Sequence, residues 1–509
     1  MLKPLSLAIL TSLIPLSLQA NPADTSSSNM LSSIPSEARV DFMSLNMPNG
    51  QSRMGMIGIH YGLNLLPIPD LYTGVGMYGA VTGENGGFFS FGIDNNYNPK
   101  IYKSLYLDSG VFVGGGGAHS TDVGGGLMVL PHLGLGYQLG NERITLDYSY
   151  ATFPNNGHIS GSQVMLGIIF PSDLNLFSPG TDSSPNSNIS WQNDGFYLSP
   201  LVQIYHPKSG TTNLLGEPQS SNLGLAGAEG GKFITDRTFV ALRAAAVGKG
   251  NANGYMNVMA GIGYRLPLTP NFYFVNDVFA GAGGGGNIQT GNGTELEADT
   301  GLAWQITPQL APRLSIGYLT APDGHFNTWV GSIGLNYDLN WLSPNNEGEL
   351  HFNTSGSNLS YWRAEIYNQT LFDPKRTNGA SGNINLIAGN LDQQLTPNWY
   401  LTYGTSFAYQ GDHSGGLALG DLGAGYQFNA NGTWHPHAAL LVGAIGGGGI
   451  DVNGGFFVEP ELGLRHDVTS QMSVDAAVGR MKSTSSGGLN STVLNVGLAF
   501  SFGKLVQAQ

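Results

Sequence analysis

Carboxylates and arginines stand at recurring places in this sequence. Asp108 and Asp277 each lie six residues before the first glycine of a four-glycine run, at 114–117 and 283–286, with a third run at 446–449. A carboxylate held away from water must be paired, and Arg143, Arg265, Arg313, Arg465 and Arg480 are candidate partners. The expected inward polar network is Asp108, Asp147, Asp277, Arg265 and Arg313, and its chemistry is structural ion pairing rather than catalysis. His119, His158, His325 and His413 fall in segments that read as loops, without the ligand spacing or partner carboxylates of a metal centre. No metal and no cofactor is expected. The glycine runs precede no Lys-Ser/Thr and open no helix, so they are not phosphate loops. They read as flexible loop tips.

The elements that position these residues follow from composition. The chain has 509 residues, no cysteine, 11% charged residues and a net charge of −14 from 20 Lys+Arg and 34 Asp+Glu. The charge sign disfavours nucleic acid, and the missing cysteines remove thiolate and disulfide chemistry. A hydrophobic share of 41% is too large for a disordered chain. Residues 1–20 carry one lysine, an apolar run and a small residue at Ala20, the pattern of a cleaved secretory signal peptide. No later stretch reaches the length of a membrane helix, which leaves strands as the means of crossing.

Strand patterning is plain in two places. Ile144, Leu146, Tyr148 and Tyr150 alternate with Thr145, Asp147, Ser149 and Ala151, and Leu494, Val496, Leu498, Phe500 and Phe502 alternate with Asn495, Gly497, Ala499 and Ser501. The first set of each pair suits lipid and the second an interior. Tight turns such as 140–143, 269–271 and 396–398 alternate with longer, Gly-rich loops, as short periplasmic turns alternate with outer loops. The glycine runs, a Gly-Leu segment about twenty residues later, and a closing glycine three before an aromatic (Gly167 with Phe170, Gly334 with Tyr337, Gly497 with Phe500) recur in order. Such recurrence marks a triplicated unit of about eight strands. The expected organisation is a signal peptide (1–20), a polar segment (21–36), barrel repeats at 37–170, 196–339 and 359–502 separated by linkers at 171–195 and 340–358, and a tail at 503–509.

The segment containing Asn495, Gly497, Phe500 and Phe502 resembles the C-terminal signal by which the barrel-assembly machinery recognises outer-membrane proteins. The resemblance implies an outer-membrane location in a Gram-negative cell, with lipid and that machinery as partners. Residues 142–170 also resemble the eight-stranded lipid A deacylases, whose late strand carries His-x-Ser followed by a glutamate. Here Asp147-Tyr148-Ser149 occupies that place and Gly161 stands where the glutamate would be. Gly317-Tyr318-Leu319 and Val478-Gly479-Arg480 lie near the corresponding places in the other units. An acyl-transfer serine needs a base in reach, so the likeness implies architecture and the chain is not expected to be an enzyme.

The fold class is therefore an all-β transmembrane antiparallel barrel of three repeats. Three compact barrels in tandem would have interiors filled by side chains, whereas one barrel of about 24 strands would enclose a lumen or a plug. The inward residues Met54, Met56, Met128 and Met165 favour the compact units. The function expected first is a transport or export conduit, with a periplasmic partner or plug. The alternatives are a non-conducting scaffold or lipid-binding barrel protein and, behind both, a lipid A-modifying enzyme.

Overall fold

Period-two alternation becomes period-two burial. From Glu142 to Ala151 every odd-numbered inward residue is buried and every even-numbered neighbour is exposed, with Leu146 and Tyr148 60% and 63% accessible. The computed structural model describes residues 31–507 except 119–120, 180–190, 220, 345–356 and 378. The expected signal peptide, His119 and the middle of each linker lie outside the described residues.

Three rings of eight antiparallel strands each close by pairing of their own first and last strands. Barrel 1 runs through Leu31–Leu45, Met54–Leu63, Leu71–Thr82, Phe89–Tyr97, Leu105–Gly117, Met128–Leu139, Glu142–Thr152 and Ser160–Phe177. Its first and last strands pair from Leu31↔Phe177 to Met43↔Met165. Barrel 2 comprises Phe196–Pro207, Leu223–Phe233, Thr238–Lys249, Met256–Pro267, Phe272–Gly284, Thr294–Trp304, Leu310–Thr320 and Asn327–Asp338, closed from Tyr197↔Asp338 to Pro207↔Thr328. Barrel 3 comprises Ser357–Phe372, Ile384–Gln394, Trp399–Gln410, Ala418–Gln427, Trp434–Gly446, Phe456–Asp467, Met472–Ser483 and Asn490–Gln507, closed from Ser357↔Gln507 to Phe372↔Thr492. Compact units, rather than one wide ring, are what the chain forms.

At one end the turns are short. Thr235, Thr269, Thr307, Thr396 and Thr469 each accept, through Oγ1, the amide hydrogen of the residue three places on, which fixes the reversal without a long loop. At the other end the loops are longer and carry the glycine runs.

Neither linker nor tail is a plain spacer. Residues 171–177 extend the last strand of barrel 1, and residues 31–36, expected as a polar lead-in, pair with them. Trp191–Asn193 pairs with Trp341–Pro344, which also pairs with Leu505 and Val506. The expected tail is strand through Gln507, and Gly503 pairs with Phe177 of barrel 1. These pieces tie the short-turn ends of the barrels together around an apolar hub. Leu176 comes from barrel 1, Leu339 from the end of barrel 2, and Trp362 and Phe502 from barrel 3.

At the long-loop end the glycine runs overturn the expectation of flexible tips. Gly117 packs on Gly415 and Gly416, Gly284 on Gly86 and Gly87, and Gly446 on Gly254. In each case the fifth strand of one barrel meets the loop between the third and fourth strands of the next, and the three contacts close a head-to-tail ring. Only glycine lets backbones approach this closely. Beneath the ring lies a shared apolar cluster of Phe89 and Phe91, Ala282, and Phe407, one contribution from each barrel.

Candidate functional site: the three interiors

An eight-stranded ring leaves an interior just wide enough for side chains, so what lines it decides what it can do. In barrel 1, Arg39 sits at the centre. Its Nε donates to Asp41 at 2.7 Å, its Nη1 to Asp108 at 2.8 and 3.0 Å, and its Nη2 to Asp147 at 3.0 Å. His60 lies between Asp41 and Asp94 at 3.3 and 3.2 Å, and the Tyr78 hydroxyl donates to Asp41 at 3.2 Å. Towards the long loops the ring is filled by Met43, Met54, Met56, Met128, Met165 and their neighbours, all buried.

Barrel 2 repeats the plan from a different strand. Arg243 bonds Glu229 at 2.8 Å and Glu297 and Asp299 at 2.7 Å each, with its guanidinium 3.9 Å from the Phe279 ring centre. Arg313 donates to Asp277 at 2.6 Å, and the Tyr197 hydroxyl donates to Glu229 at 2.6 Å. Glu295 accepts from Tyr255 at 2.7 Å and from Asn257 at 3.2 Å. Aromatic and aliphatic side chains such as Tyr205, Phe326 and Leu319 fill the remaining space.

In barrel 3, Arg363 bonds Glu365 at 2.6 Å and also Asp392, while Arg465 bonds Gln427. His437 lies 3.1 Å from Asp475. A small polar cavity of about 30 Å³ in this interior is lined by Arg363, Asp392, Thr402, His437 and Glu461 among others. Leu371, Ile384, Leu386, Leu419 and Ile450 close it towards the long loops.

The expected network thus falls into two barrels. Asp108 and Asp147 share Arg39, and Asp277 meets Arg313, but Arg265 stands at the short-turn rim of barrel 2, 3.6 Å from Asp338 and 4.2 Å from the Phe233 ring centre. The central arginines 39, 243 and 363 were not among the expected residues. For Arg39 and Arg363 the signal is a charge repeated at alternate positions of one strand, Glu37-x-Arg39-x-Asp41 and Arg363-x-Glu365, whereas Arg243 has alanine at both 241 and 245 and carries no such signal.

Ser149 lies inside barrel 1, where Gln163 Nε2 donates to its hydroxyl at 2.9 Å. His158 and His413 are exposed, beside Asp122 at 2.7 Å and Asp412 at 3.6 Å, and His325 is an exposed loop residue. Among the described residues no group of His, Asp and Glu converges on a metal-sized point. In the segment expected to be an assembly signal, Asn495 points inward and donates to Glu461 at 3.2 Å, and Gly497 passes tightly over Tyr367. Phe500 and Phe502 turn into the inter-barrel hub instead of lipid.

No family model and no curated protein sequence matches the chain. Among solved structures, a de novo designed transmembrane β-barrel is 16% identical, covers 29% of this chain and 97% of its own, and has a TM-score of 0.20. OccK8 (OprE) of Pseudomonas aeruginosa is 9% identical over 92% of this chain and 98% of its own, with a TM-score of 0.22. OccAB4 of Acinetobacter baumannii is 8% identical over 94% and 100%, with a TM-score of 0.22. At TM-scores this low none of these structures bears on what the three interiors carry.

Proposed function

We propose that this protein is a non-conducting scaffold of the bacterial outer membrane, three sealed barrels that hold a joined set of loops at the outer surface. The observation that carries this reading is the cross-strand ion pairing of Arg39 and Arg243 beneath capping layers of buried apolar side chains. Ions cannot pass such an interior without breaking several buried charge pairs at once, each break costing several kcal/mol. The exposed apolar belt, with Leu133, Leu135, Leu314, Ile316, Leu440 and Leu462 among its members, supports a lipid environment. The signal-like N-terminus and the segment at Asn495, Gly497, Phe500 and Phe502 support delivery to the assembly machinery, with the long-loop end facing out.

Planar-bilayer recording of the purified full chain tests this. The scaffold reading requires no stable openings, and steady conductance from the pure protein would overturn it. The conduit reading keeps one observation in its favour, the cavity of barrel 3. If current appears, Glu461→Gln should change its ion selectivity should the path run there.

A further inference from the structure

The crease between barrels 1 and 3 at the long-loop end holds a second, open cavity, of about 430 Å³. Asn155 and Asn156 line it from barrel 1; Asn383, Asn385, Gln410 and Asp412 face them from barrel 3, with Gly411 between. The lining has no apolar side chain and no lysine or arginine. The corresponding seventh-to-eighth-strand loops of the other barrels, 321–326 and 484–489, contain no asparagine, so the pair at Asn155 and Asn156 is particular to barrel 1.

The crease is held in shape from both sides. Asn155 Nδ2 donates to Tyr409 O at 3.0 Å across the joint, and the Gly415 amide donates to Gly124 O at 2.9 Å. Asn385 donates to Gln410 Oε1 at 3.0 Å and accepts from Thr370 at 2.7 Å, while Arg376 donates to Asp412 O at 2.7 Å and steadies that loop. What is left over is mixed. Asn155 Oδ1 is free to accept, the Asp412 carboxylate has one oxygen 3.6 Å from His413 Nε2 and the other left to accept, Gln410 Nε2 and Asn383 Nδ2 are free to donate, and the Asn156 amide can do both. An anion site needs donors and a cation site needs acceptors. A mixed, fixed set of amides with one carboxylate matches vicinal hydroxyls, each of which donates and accepts. The volume lies within the usual range for small-ligand clefts.

We propose that this crease is a saccharide-binding site for neutral, polyhydroxylated rings, supplied either by the glycan of a lipid in the same leaflet or by a free saccharide. It rests on the scaffold reading only for which side of the membrane it faces.

The test uses the purified full chain in detergent. The probes are printed neutral oligosaccharides of glucose, galactose, mannose and N-acetylglucosamine, and the lipid-free core oligosaccharide of a rough lipopolysaccharide before and after dephosphorylation. Asn156→Gly combined with Gln410→Ala should weaken binding about tenfold or more. Glycine accepts the left-handed backbone at residue 156 (φ 61°), so the loop keeps its course. Gln394→Ala, at the short-turn end, should leave binding unchanged, and heat-modifiable gel migration shows that each variant is folded. Binding of the core oligosaccharide alone identifies a lipid glycan, and binding of the printed neutral sugars identifies a free one; either supports the site. No binding of any probe, binding untouched by the double substitution, or binding lost on dephosphorylation overturns it. A protein that conducts yet binds sugar loses the scaffold reading and keeps this one.

Discussion

Gly284 of barrel 2 and Gly87 of barrel 1 meet backbone to backbone. A Cβ on Gly284 would stand 2.5 Å from the Gly87 amide nitrogen, and one on Gly87 would stand 2.4 Å from the amide nitrogen of Gly285. Gly87→Ala should therefore destabilise the joint by roughly 1–3 kcal/mol through forced separation of main chains, in addition to the cost of its left-handed backbone. Gly50, also left-handed but with nothing within 4 Å of its would-be Cβ, is the control. Gly50→Ala should cost only the conformational part, roughly 1–2 kcal/mol. Denaturant unfolding in detergent compares the two.

Separate closure makes its own prediction, and the absence of native cysteine leaves it free of background. Phe42↔Leu166 in barrel 1, Val202↔Ile333 in barrel 2 and Thr370↔Leu494 in barrel 3 are register partners on first and last strands. Directly opposed strand residues lie within disulfide reach. Each pair changed to cysteines should oxidise to an intramolecular bridge, seen as a gel shift after unfolding. Failure of all three pairs in folded protein would mean that the strands close some other way.

Arg243 neutralises three carboxylates drawn from two strands of barrel 2. Arg243→Ala should lower stability by about 3–5 kcal/mol, since Glu229, Glu297 and Asp299 would be left buried without their cation. Adding Glu229→Gln and Glu297→Gln should restore part of that loss. A triple variant as unstable as the single one would mean that the arginine acts by packing on Phe279 and not by charge.

Trp362 is 2% exposed in the hub and meets Trp341 edge-on at 5.2 Å, whereas Trp399 is 52% exposed on the outer face. Trp362→Ala should cost about 3–5 kcal/mol, and Trp399→Ala much less. Midpoints of urea unfolding in the same detergent decide between them.

Ser149 is enclosed in barrel 1 and bonded by Gln163. Overexpression of the wild type, or of Ser149→Ala, should leave the lipid A mass spectrum unchanged. A new deacylated species that disappears with the substitution would restore the enzymatic reading.

The strand faces were legible because alternation is a local property: Ile144 and Thr145 declare opposite sides by position alone. The pairing of charges was legible only in part, because partners come from distant strands. Arg39 and Asp147 are 108 residues apart and meet only when the ring closes. Arg265 looked equivalent to Arg313, yet its place near the end of its strand puts it at the rim beside Asp338. The glycine runs misled for a related reason. Composition reports freedom in the isolated chain, while the constraint on Gly284 comes from Gly87, in another barrel. Phe502 was readable as a strand aromatic, but its burial depends on Leu176 and Leu339, contributed by chain outside its own barrel.

A head-to-tail ring of three is the contact pattern of a cyclic trimer, here drawn with one continuous chain. In a trimer of identical chains every substitution appears three times, so a change that suits one joint must be tolerated at all of them. Covalent joining lifts that requirement. Asn155 and Asn156 can stand at one crease while the other two keep unrelated loops, and barrel 3 can carry its own arginine pair, Arg363 and Arg465, where barrels 1 and 2 centre on Arg39 and Arg243. Three barrels on one chain can therefore become three different parts without losing the ring that holds them.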